Sequence, residues 1–293
     1  MLEKDTSIKV IYIAGYGHSG STLLDMILGS NEGCFSAGEL TFITRDTIME
    51  EYCSCNQKIS KCKVWSEVIK LWEKNRQISY QQYHQLHWRF ERNKTTFRTF
   101  INRFFPSAEF KSYCLATLQL FQAIKKITGR SVIIDSSKTP QRVAVLSEIV
   151  DLQVIHICRD FTGVLNSAKG STIKDIKAGI EADSPPRRTW KVVLDWLVTN
   201  FATEIFCLGV PSQKILYRNF VQAPEQVFNS FPLLKSVKNK QGFSAPHMLA
   251  GNVIRLKKNL KINPVVGFQY KKLNQKQYLL GKGIDKLFTF WSY

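Results

Sequence analysis

The chain has 293 residues, of which 44% are hydrophobic and 22% charged, a balance typical of a globular protein with a full core. It contains no uninterrupted apolar stretch of about 18 residues, which excludes an ordinary membrane-spanning helix. Its seven cysteines are too few for a disulfide scaffold. The formal net charge of +18 favours anionic partners, but nucleic acid, an anionic membrane, an acidic polysaccharide and a phosphorylated nucleotide all fit it.

The amino-terminal segment, residues 1–7, is short and polar and leads directly into an apolar run. It leaves no room for a signal peptide, so we expect the protein to stay where it is made, in the cytoplasm. The sequence contains no internal repeat and no low-complexity tract. We therefore expect a single domain over residues 1–293.

The most informative segment is the glycine-rich stretch at residues 15–22, which reads GYGHSGST. A β-like apolar run at 8–14 precedes it, and a helical pattern at 23–28 follows it. A strand, a glycine-rich turn and a helix N-terminus together form an anion cradle, because backbone N–H groups point into the turn and the helix dipole adds positive charge. The sequence therefore predicts an anionic ligand at this turn.

The spacing of this stretch fits the phosphate-loop pattern G-x-x-x-x-G-K-[ST], except that Ser21 stands where the lysine belongs. That lysine normally reaches the β- and γ-phosphates of a nucleoside triphosphate. Its absence favours a phosphate-type ligand other than a magnesium–nucleotide triphosphate. Three alternatives stay open: a turn without a ligand, a nucleotide kinase or GTPase-like protein, and a non-catalytic protein that binds nucleic acid or an acidic glycan.

Beyond the first helical pattern, residues 33–63 look irregular, and residues 64–129 carry long helical patterns that Pro106 interrupts. We interpret the second range as a helical insertion of about residues 64–129. Its aromatic side chains at helical spacing favour the core over a substrate-binding wall. These aromatic residues are Trp65, Trp72, Tyr80, Tyr83, Trp88, Phe90, Phe97, Phe100, Phe104 and Phe105.

The rest of the chain alternates between strand and helix patterns, which predicts an α/β fold: a parallel β-sheet flanked by helices. Ligands of such sheets bind at the carboxyl ends of the strands, so the residues after each strand are the candidate site residues. The strand-like runs are 131–135, 153–158 and 214–217, and the helical stretches are about 139–150, 160–168 and 186–207.

Charged residues follow two of these runs. Lys138 closes the sequence DSSK after the run at 131–135, and Arg159 follows the run at 153–158 with Ser167 eight residues further on. A lysine there can neutralise an anion, and an arginine can bind a phosphate bidentately with a serine hydroxyl beside it. An exposed lysine and an ordinary helix-start Arg-Asp pair explain the same residues without a ligand.

Two further segments carry weaker signals. Residues 169–188 are rich in lysine, arginine, glycine and proline, which is typical either of a mobile basic loop over the site or of an ordinary surface connection. Cys53, Cys55 and Cys62 form a cluster of thiols. It lacks the usual C-x₂-C pairs and an obvious fourth ligand. A local disulfide or simple packing explains the cluster better than zinc binding does, and we assign no metal.

These segments together resemble sulfotransferases that use 3′-phosphoadenosine 5′-phosphosulfate (PAPS), most of all bacterial members related to the tyrosylprotein and carbohydrate branches. The resemblance covers about residues 8–256 and rests on the order and spacing of its motifs. They are GxGHSGSTLL from Gly15, AGEL at 37–40, DSSK at 135–138, RD at 159–160 with Ser167, CSC…CKVW at 53–65, LYRNF…P at 216–224 and HMLAGNVIR at 247–255.

The resemblance implies a sulfotransferase fold of the phosphate-loop nucleotide hydrolase type and a hydroxyl-bearing acceptor: a carbohydrate, a lipid, a peptide tyrosine or a small molecule. It implies that PAPS is the sulfuryl donor, that no metal is required and that nucleic acid is not a partner. It also implies roles for individual residues. The 5′-phosphosulfate would be held by Gly17, His18, Ser19, Gly20, Ser21 and Thr22. The 3′-phosphate would be held by Arg159 and Ser167, and the nucleotide would be covered by Gly251, Asn252 and Arg255. Glu39 would be the base, and Lys138 and His18 would stabilise charge on the transferring group.

The sequence departs from the family pattern at two places. His18 stands where an arginine or lysine is usual, and a histidine titrates near neutral pH, so its charge is not fixed. Residues 217–219 lack the acid that is common in the family, so we assign them no chemistry. Neither the acceptor nor the oligomeric state follows from the sequence.

Overall fold

The computed structural model describes residues 3–177, 180, 182–225, 243–257, 260, 262 and 270–292. These residues contain a five-stranded sheet in which all neighbouring strands are parallel. The strands are β1 (Asp5–Ala14), β2 (Cys34–Gly38), β3 (Val132–Lys138), β4 (Val150–Cys158) and β5 (Ser212–Leu216). Their order across the sheet is β2-β3-β1-β4-β5, so β1 is the central strand.

Helices surround the sheet and make up most of the remaining described structure. The α-helices are α1 (Ser21–Gly29), α2 (Trp65–Asn75), α3 (Tyr80–Phe90), α4 (Thr96–Phe104), α5 (Ala108–Thr128), α6 (Arg142–Ser147), α7 (Phe161–Ala168), α8 (Thr189–Cys207), α9 (Tyr217–Gln222), α10 (Gln275–Leu287) and α11 (Thr289–Ser292). Short 3₁₀-helices occupy Leu40–Thr44, Ile48–Glu50, Ile59–Lys61, Asn93–Thr95 and Val253–Leu256.

The sheet is buried on both faces. Along β1, Val10 and Tyr12 pack into one apolar cluster, while Ile11 and Ile13 pack into a second cluster on the opposite face. This alternation follows from the two-residue period of a strand, and an apolar side chain at every position is the pattern of a strand covered on both sides. The α/β class and the parallel sheet with flanking helices are therefore confirmed.

The sequence prediction was wrong about the beginning of the segment 33–63, because Cys34–Gly38 forms the edge strand β2. It pairs in parallel with β3, with Phe35 opposite Ile133. The run CFSAG is short and mixes small and polar residues, so it lacks the apolar pattern of a buried strand. Pairing with β3, which is distant in sequence, determines its conformation.

The helical section at 64–129 is confirmed as α2 to α5. Helix α5 begins directly after Pro106, where the Ser107 hydroxyl accepts a hydrogen bond of 3.3 Å from the backbone N–H of Phe110. The assignment of the aromatic residues to the core is confirmed for Trp65, Trp72, Tyr83 and Phe90. It was wrong for Trp88, Phe97, Phe104 and Phe105, which are exposed.

The order of the strands places a crevice at the centre of the sheet. The chain leaves β1 for the edge strand β2, returns to β3, and then crosses β1 to form β4. A ligand of an open α/β sheet binds at the carboxyl ends of the strands, where the strand order changes direction. Gly15, Lys138 and Arg159 lie at the carboxyl ends of β1, β3 and β4 respectively.

None of the helices in the described part of the chain combines the length and apolar character needed to cross a bilayer.

Candidate active site

The glycine-rich stretch forms the turn between β1 and α1. Gly20 has a φ of 87°, in the left-handed region, and a Cβ built on it would lie 2.6 Å from the ring of Tyr217. Only glycine therefore fits this position without a shift. The N–H groups of the first turn of α1 have no partner inside the helix, so they are free to bind an anion. The local sequence thus builds the cradle that its spacing predicted.

The cradle opens into a cavity of about 520 Å³. Residues from seven separate parts of the sequence meet there, and most of the residues predicted for the site line it. The predicted residues in its wall are Gly17, His18, Gly20, Ser21, Thr22, Glu39, Lys138, Arg159, Ser167, Gly251 and Asn252.

Ser19 and Arg255 are the two predicted residues that do not line this cavity. Arg255 is buried, and its guanidinium donates hydrogen bonds to the carbonyl oxygens of Gly251 (2.6 Å) and Tyr52 (3.3 Å). It therefore holds the backbone of the segment around Gly251. Ser19 is also buried, and its hydroxyl has no hydrogen-bond partner among the described residues.

Glu39 and Lys138 form an ion pair in the wall of the cavity, joining Oε1 and Nζ. Glu39 is 6% exposed. It follows Gly38, whose φ is 81° and whose missing Cβ would lie 2.5 Å from the carbonyl oxygen of Ala250. Lys138 also has a positive φ, of 70°, which is uncommon for a residue with a side chain. Strained backbone of this kind is concentrated at functional sites.

Arg159 reaches the cradle from the end of β4. Its Nη1 donates a 2.8 Å hydrogen bond to the carbonyl oxygen of His18, and its guanidinium carbon lies 4.6 Å from the centre of the Tyr217 ring. Helix α7 begins directly after it, and Ser167 near the end of that helix lines the same cavity. An arginine and a serine hydroxyl are thus brought together as the spacing predicted.

His18 does not titrate near neutral pH as its residue type suggested. Loss of hydration at the crowded mouth of the cavity, followed by the positive charges of Arg187, Lys138, Arg159 and Lys272, lowers its pKa to about 4. The imidazole is therefore neutral at pH 7, although its side chain keeps contact with solvent. A neutral imidazole offers hydrogen-bonding groups and no positive charge.

Six residues in the wall of this cavity were not selected from the sequence, and the three with polar side chains are Arg45, Arg187 and Tyr217. Arg187 belongs to the basic segment at 169–188, so clustered charge was a signal for it. Arg45 lacks a local signal, because only the fold brings it to the site. Tyr217 directly follows β5, so the rule for residues after strands applied to it, but its segment was assigned no chemistry. The described wall residues thus include four cationic side chains, Arg45, Lys138, Arg159 and Arg187, and a single carboxylate, Glu39.

A second and larger cavity, of about 950 Å³, adjoins the first. The two share Gly17, Phe42, Arg45 and Lys138 in their walls. The helical section at 64–129 supplies the far side of the larger cavity. The wall residues from this section are His84, His87, Trp88, Glu91, Arg92, Asn93 and Lys94.

Comparison with known proteins found no matching family model and no matching curated protein. Two solved structures align with 97% of the chain. The sulfotransferase domain of the olefin synthase of Synechococcus PCC 7002 aligns over 96% of its own length, with a TM-score of 0.49 and 14% identity. A sulfotransferase domain from the curacin biosynthetic pathway aligns over 99% of its length, with a TM-score of 0.46 and 13% identity.

Proposed function

We propose that the protein transfers a sulfuryl group from PAPS to a hydroxyl-bearing acceptor. The observation that supports this most strongly is a single cavity that combines an anion cradle without the usual lysine, the Glu39–Lys138 pair and a second cationic site at Arg159. A donor with one phosphosulfate and one separate phosphate needs two anion sites. A base beside the first of them is what an attacking hydroxyl needs.

The chemistry of the cavity wall fits this donor. Arg45, Lys138, Arg159 and Arg187 offset the several negative charges of the nucleotide, in the way that cationic clamps hold phosphate groups. When bound, PAPS supplies an activated sulfuryl group.

The residues of the chain divide into two binding groups in this proposal. The turn from Gly17 to Thr22 holds the 5′-phosphosulfate, while Arg159 and Ser167 hold the 3′-phosphate. Gly251 and Asn252 form a third wall, which is tied to the cradle because the backbone N–H of Asn252 donates a 3.2 Å hydrogen bond to the Thr22 hydroxyl. Arg255 acts as a positioning residue behind this wall.

Glu39 is the proposed base. Its carboxylate takes the proton from the acceptor hydroxyl, a contribution of typically about 10²–10⁴ in rate for a well-placed base. Lys138 holds the carboxylate in place and lies where it can stabilise charge on the sulfuryl oxygens and on the oxygen that leaves. The neutral His18 and the loop N–H groups donate hydrogen bonds to the same oxygens. The proposal assigns no role to a metal at this site.

The larger cavity is the proposed acceptor site. It meets the smaller cavity, which holds the donor in this proposal and is called the donor cavity below, at Lys138 and Phe42. An acceptor bound in the larger cavity therefore presents its hydroxyl beside Glu39. Its wall mixes an exposed tryptophan, Trp88, with charged and amide groups. This mixture accommodates sugars and aromatic alcohols alike, so the acceptor class is a matter for experiment.

Incubation of the protein with PAPS labelled in the sulfuryl group and a panel of hydroxyl acceptors tests the proposal. Transfer of label to at least one acceptor, with release of adenosine 3′,5′-bisphosphate and without added magnesium, is the expected result. Magnesium-dependent hydrolysis of ATP or GTP in place of transfer would support a kinase or GTPase instead.

A further inference from the structure

Three cysteines and a histidine converge where residues 52–62 meet residues 243–256. The sulfurs of Cys53, Cys55 and Cys62 and a ring nitrogen of His247 all lie within 4.8 Å of one another. Cys62 Sγ is 3.6 Å from Cys53 Sγ, 3.7 Å from Cys55 Sγ and 3.4 Å from His247 Nδ1. The fourth ligand that the local sequence did not reveal is thus supplied from 185 positions away.

These distances fit a tetrahedral zinc site. Zinc–sulfur bonds of about 2.3 Å and zinc–nitrogen bonds of about 2.0–2.1 Å place neighbouring ligand atoms about 3.5–3.8 Å apart around a tetrahedron. The three separations from Cys62 Sγ lie in or just below that range, and the other three are at most 4.8 Å. A disulfide needs its two sulfurs about 2.05 Å apart, and all three residues carry free thiols. The geometry therefore favours metal binding over a local disulfide.

The cluster is enclosed by the protein. Cys53 and Cys62 are buried, and Cys55 and His247 are partly buried. Side chains from two segments that are distant in sequence therefore meet at one enclosed point, which suits a structural ion that is held away from solvent.

We propose that Cys53, Cys55, Cys62 and His247 bind one structural Zn²⁺ ion. A set of three cysteines and one histidine fills all four positions of a tetrahedral ion and leaves none for a substrate, which is the mark of a structural rather than a catalytic site. The ion takes no part in the proposed reaction itself, so metal analysis tests the zinc site whatever the outcome of the sulfuryl-transfer experiment.

The zinc ion fastens the segment at 243–256 to the body of the protein. Beside it, the backbone N–H of Met248 donates to the Ser54 hydroxyl (2.7 Å), and the indole N–H of Trp65 donates to the carbonyl oxygen of His247 (2.5 Å). Three residues after Met248 the same segment reaches Gly251, in the wall of the donor cavity. Loss of the metal releases the anchor of that wall.

Metal analysis of the purified full chain tests the proposal first. About one zinc ion per chain is expected after gel filtration. Cys62→Ser is expected to lose most of this zinc, whereas Cys34→Ser, which changes a partly buried cysteine outside the cluster, retains it. Zinc content that is negligible in the wild type, or equal in Cys62→Ser and the wild type, would overturn the proposal.

A second measurement avoids any variant that fails to fold. Removal of metal from the wild-type chain with a chelator is expected to lower the midpoint of thermal unfolding by about 5–10 °C, and added zinc restores it. Cobalt(II) added to the metal-free chain is expected to give a tetrahedral spectrum with a thiolate-to-metal charge-transfer band. An unchanged midpoint, no such band, or a disulfide between two of the three cysteines in protein purified without reductant contradicts the zinc site.

Discussion

At the scale of single residues, the proposed chemistry depends on two side chains held by unusual backbone. Glu39 follows a glycine that no other residue replaces without a clash, and Lys138 itself has a positive φ. Glycine adopts a positive φ without steric cost, but the left-handed conformation of Lys138 costs on the order of 1–3 kcal/mol and persists only where the surrounding structure enforces it. Their ion pair lies in the wall of the donor cavity, so the strain is located where the proposal needs a fixed base.

Replacing the proposed base separates catalysis from binding. Glu39→Gln keeps the size of the side chain but removes its ability to take a proton, so we expect sulfuryl transfer to fall about 10²–10⁴-fold. The affinity for adenosine 3′,5′-bisphosphate, measured by calorimetry, should change little. Glu50→Gln is the matched control, because Glu50 forms an exposed ion pair with Lys58. Wild-type transfer rates in Glu39→Gln would remove Glu39 from the mechanism.

Replacing the proposed 3′-phosphate ligand should change nucleotide affinity, the quantity that Glu39→Gln leaves almost unchanged. We expect Arg159→Ala to weaken the binding of adenosine 3′,5′-bisphosphate by roughly 2–5 kcal/mol, because the phosphate loses a charged partner in a partly desolvated site. Adenosine 5′-monophosphate, which lacks the 3′-phosphate, should bind the variant and the wild type about equally. If both ligands lose the same affinity, Arg159 serves another part of the nucleotide.

Asp25 links stability to pH. Burial raises its pKa to about 7, although hydrogen bonds from the Ser136 and Ser36 hydroxyls lower it. Between about pH 4, near the pKa of an unfolded aspartate, and about pH 7, the folded chain holds a proton that the unfolded chain has lost. The contribution of Asp25 to the free energy of unfolding therefore falls as pH rises through this window.

We expect Asp25→Asn to reduce the decline in stability between about pH 4 and pH 7, by on the order of 2–4 kcal/mol across the window. Urea unfolding of both proteins at several pH values measures it. Parallel stability curves for the variant and the wild type would show that Asp25 is ionised in the folded chain throughout.

At the scale of elements, the end of β3 is joined to the helical section by a buried ionic network. The Arg142 guanidinium from α6 lies 2.6 Å from Asp135 of β3 and 3.0 Å from Glu91, directly after α3. The Tyr113 hydroxyl donates a 2.7 Å hydrogen bond to Glu91. This network fixes the strand end that carries Lys138 relative to the wall of the larger cavity.

Breaking the network should destabilise the fold strongly. Arg142→Met leaves two buried carboxylates without their partner, so we expect the free energy of unfolding to fall by about 3–5 kcal/mol. Arg89→Met is the matched control, since Arg89 pairs with Glu109 at 2.9 Å on the surface, where such a pair contributes about 0.2–1 kcal/mol. Denaturant unfolding measures both. Equal losses of the free energy of unfolding in the two variants would show that the buried network stabilises the fold no more than a surface ion pair does.

The elements that were predicted correctly are those that one contiguous segment of the sequence determines. The central strand, the glycine-rich turn and the first helix follow one another in the sequence, so the period of the apolar residues and the spacing of the glycines were sufficient to predict them. The edge strand β2 was missed because its five residues become a strand only through pairing with β3. His247 was missed as a partner of the cysteines for the same reason: only the tertiary structure brings it to them.

At the scale of the whole molecule, the strand order explains why distant residues form one site. The crossing of the chain from one side of β1 to the other brings three strand ends together, and the segment around Gly251 covers them from the outside. The fold class and the part of the cavity wall at the ends of β1, β3 and β4 could be predicted from residues that follow strands, whereas Gly251 and Asn252 were expected only from the family resemblance. Arg45 and Trp88 could not be predicted, because the faces they present depend on packing rather than on local pattern.

Calorimetric titration of the full chain with adenosine 3′,5′-bisphosphate tests the central claim most directly. The account predicts one site per chain with a dissociation constant in the micromolar range or tighter, about −8 kcal/mol, and at least about tenfold weaker binding of adenosine 5′-monophosphate, because one anion site is then left unfilled. Absence of binding heat, or equal affinity for the two nucleotides, would contradict a cavity built for two separate phosphate groups.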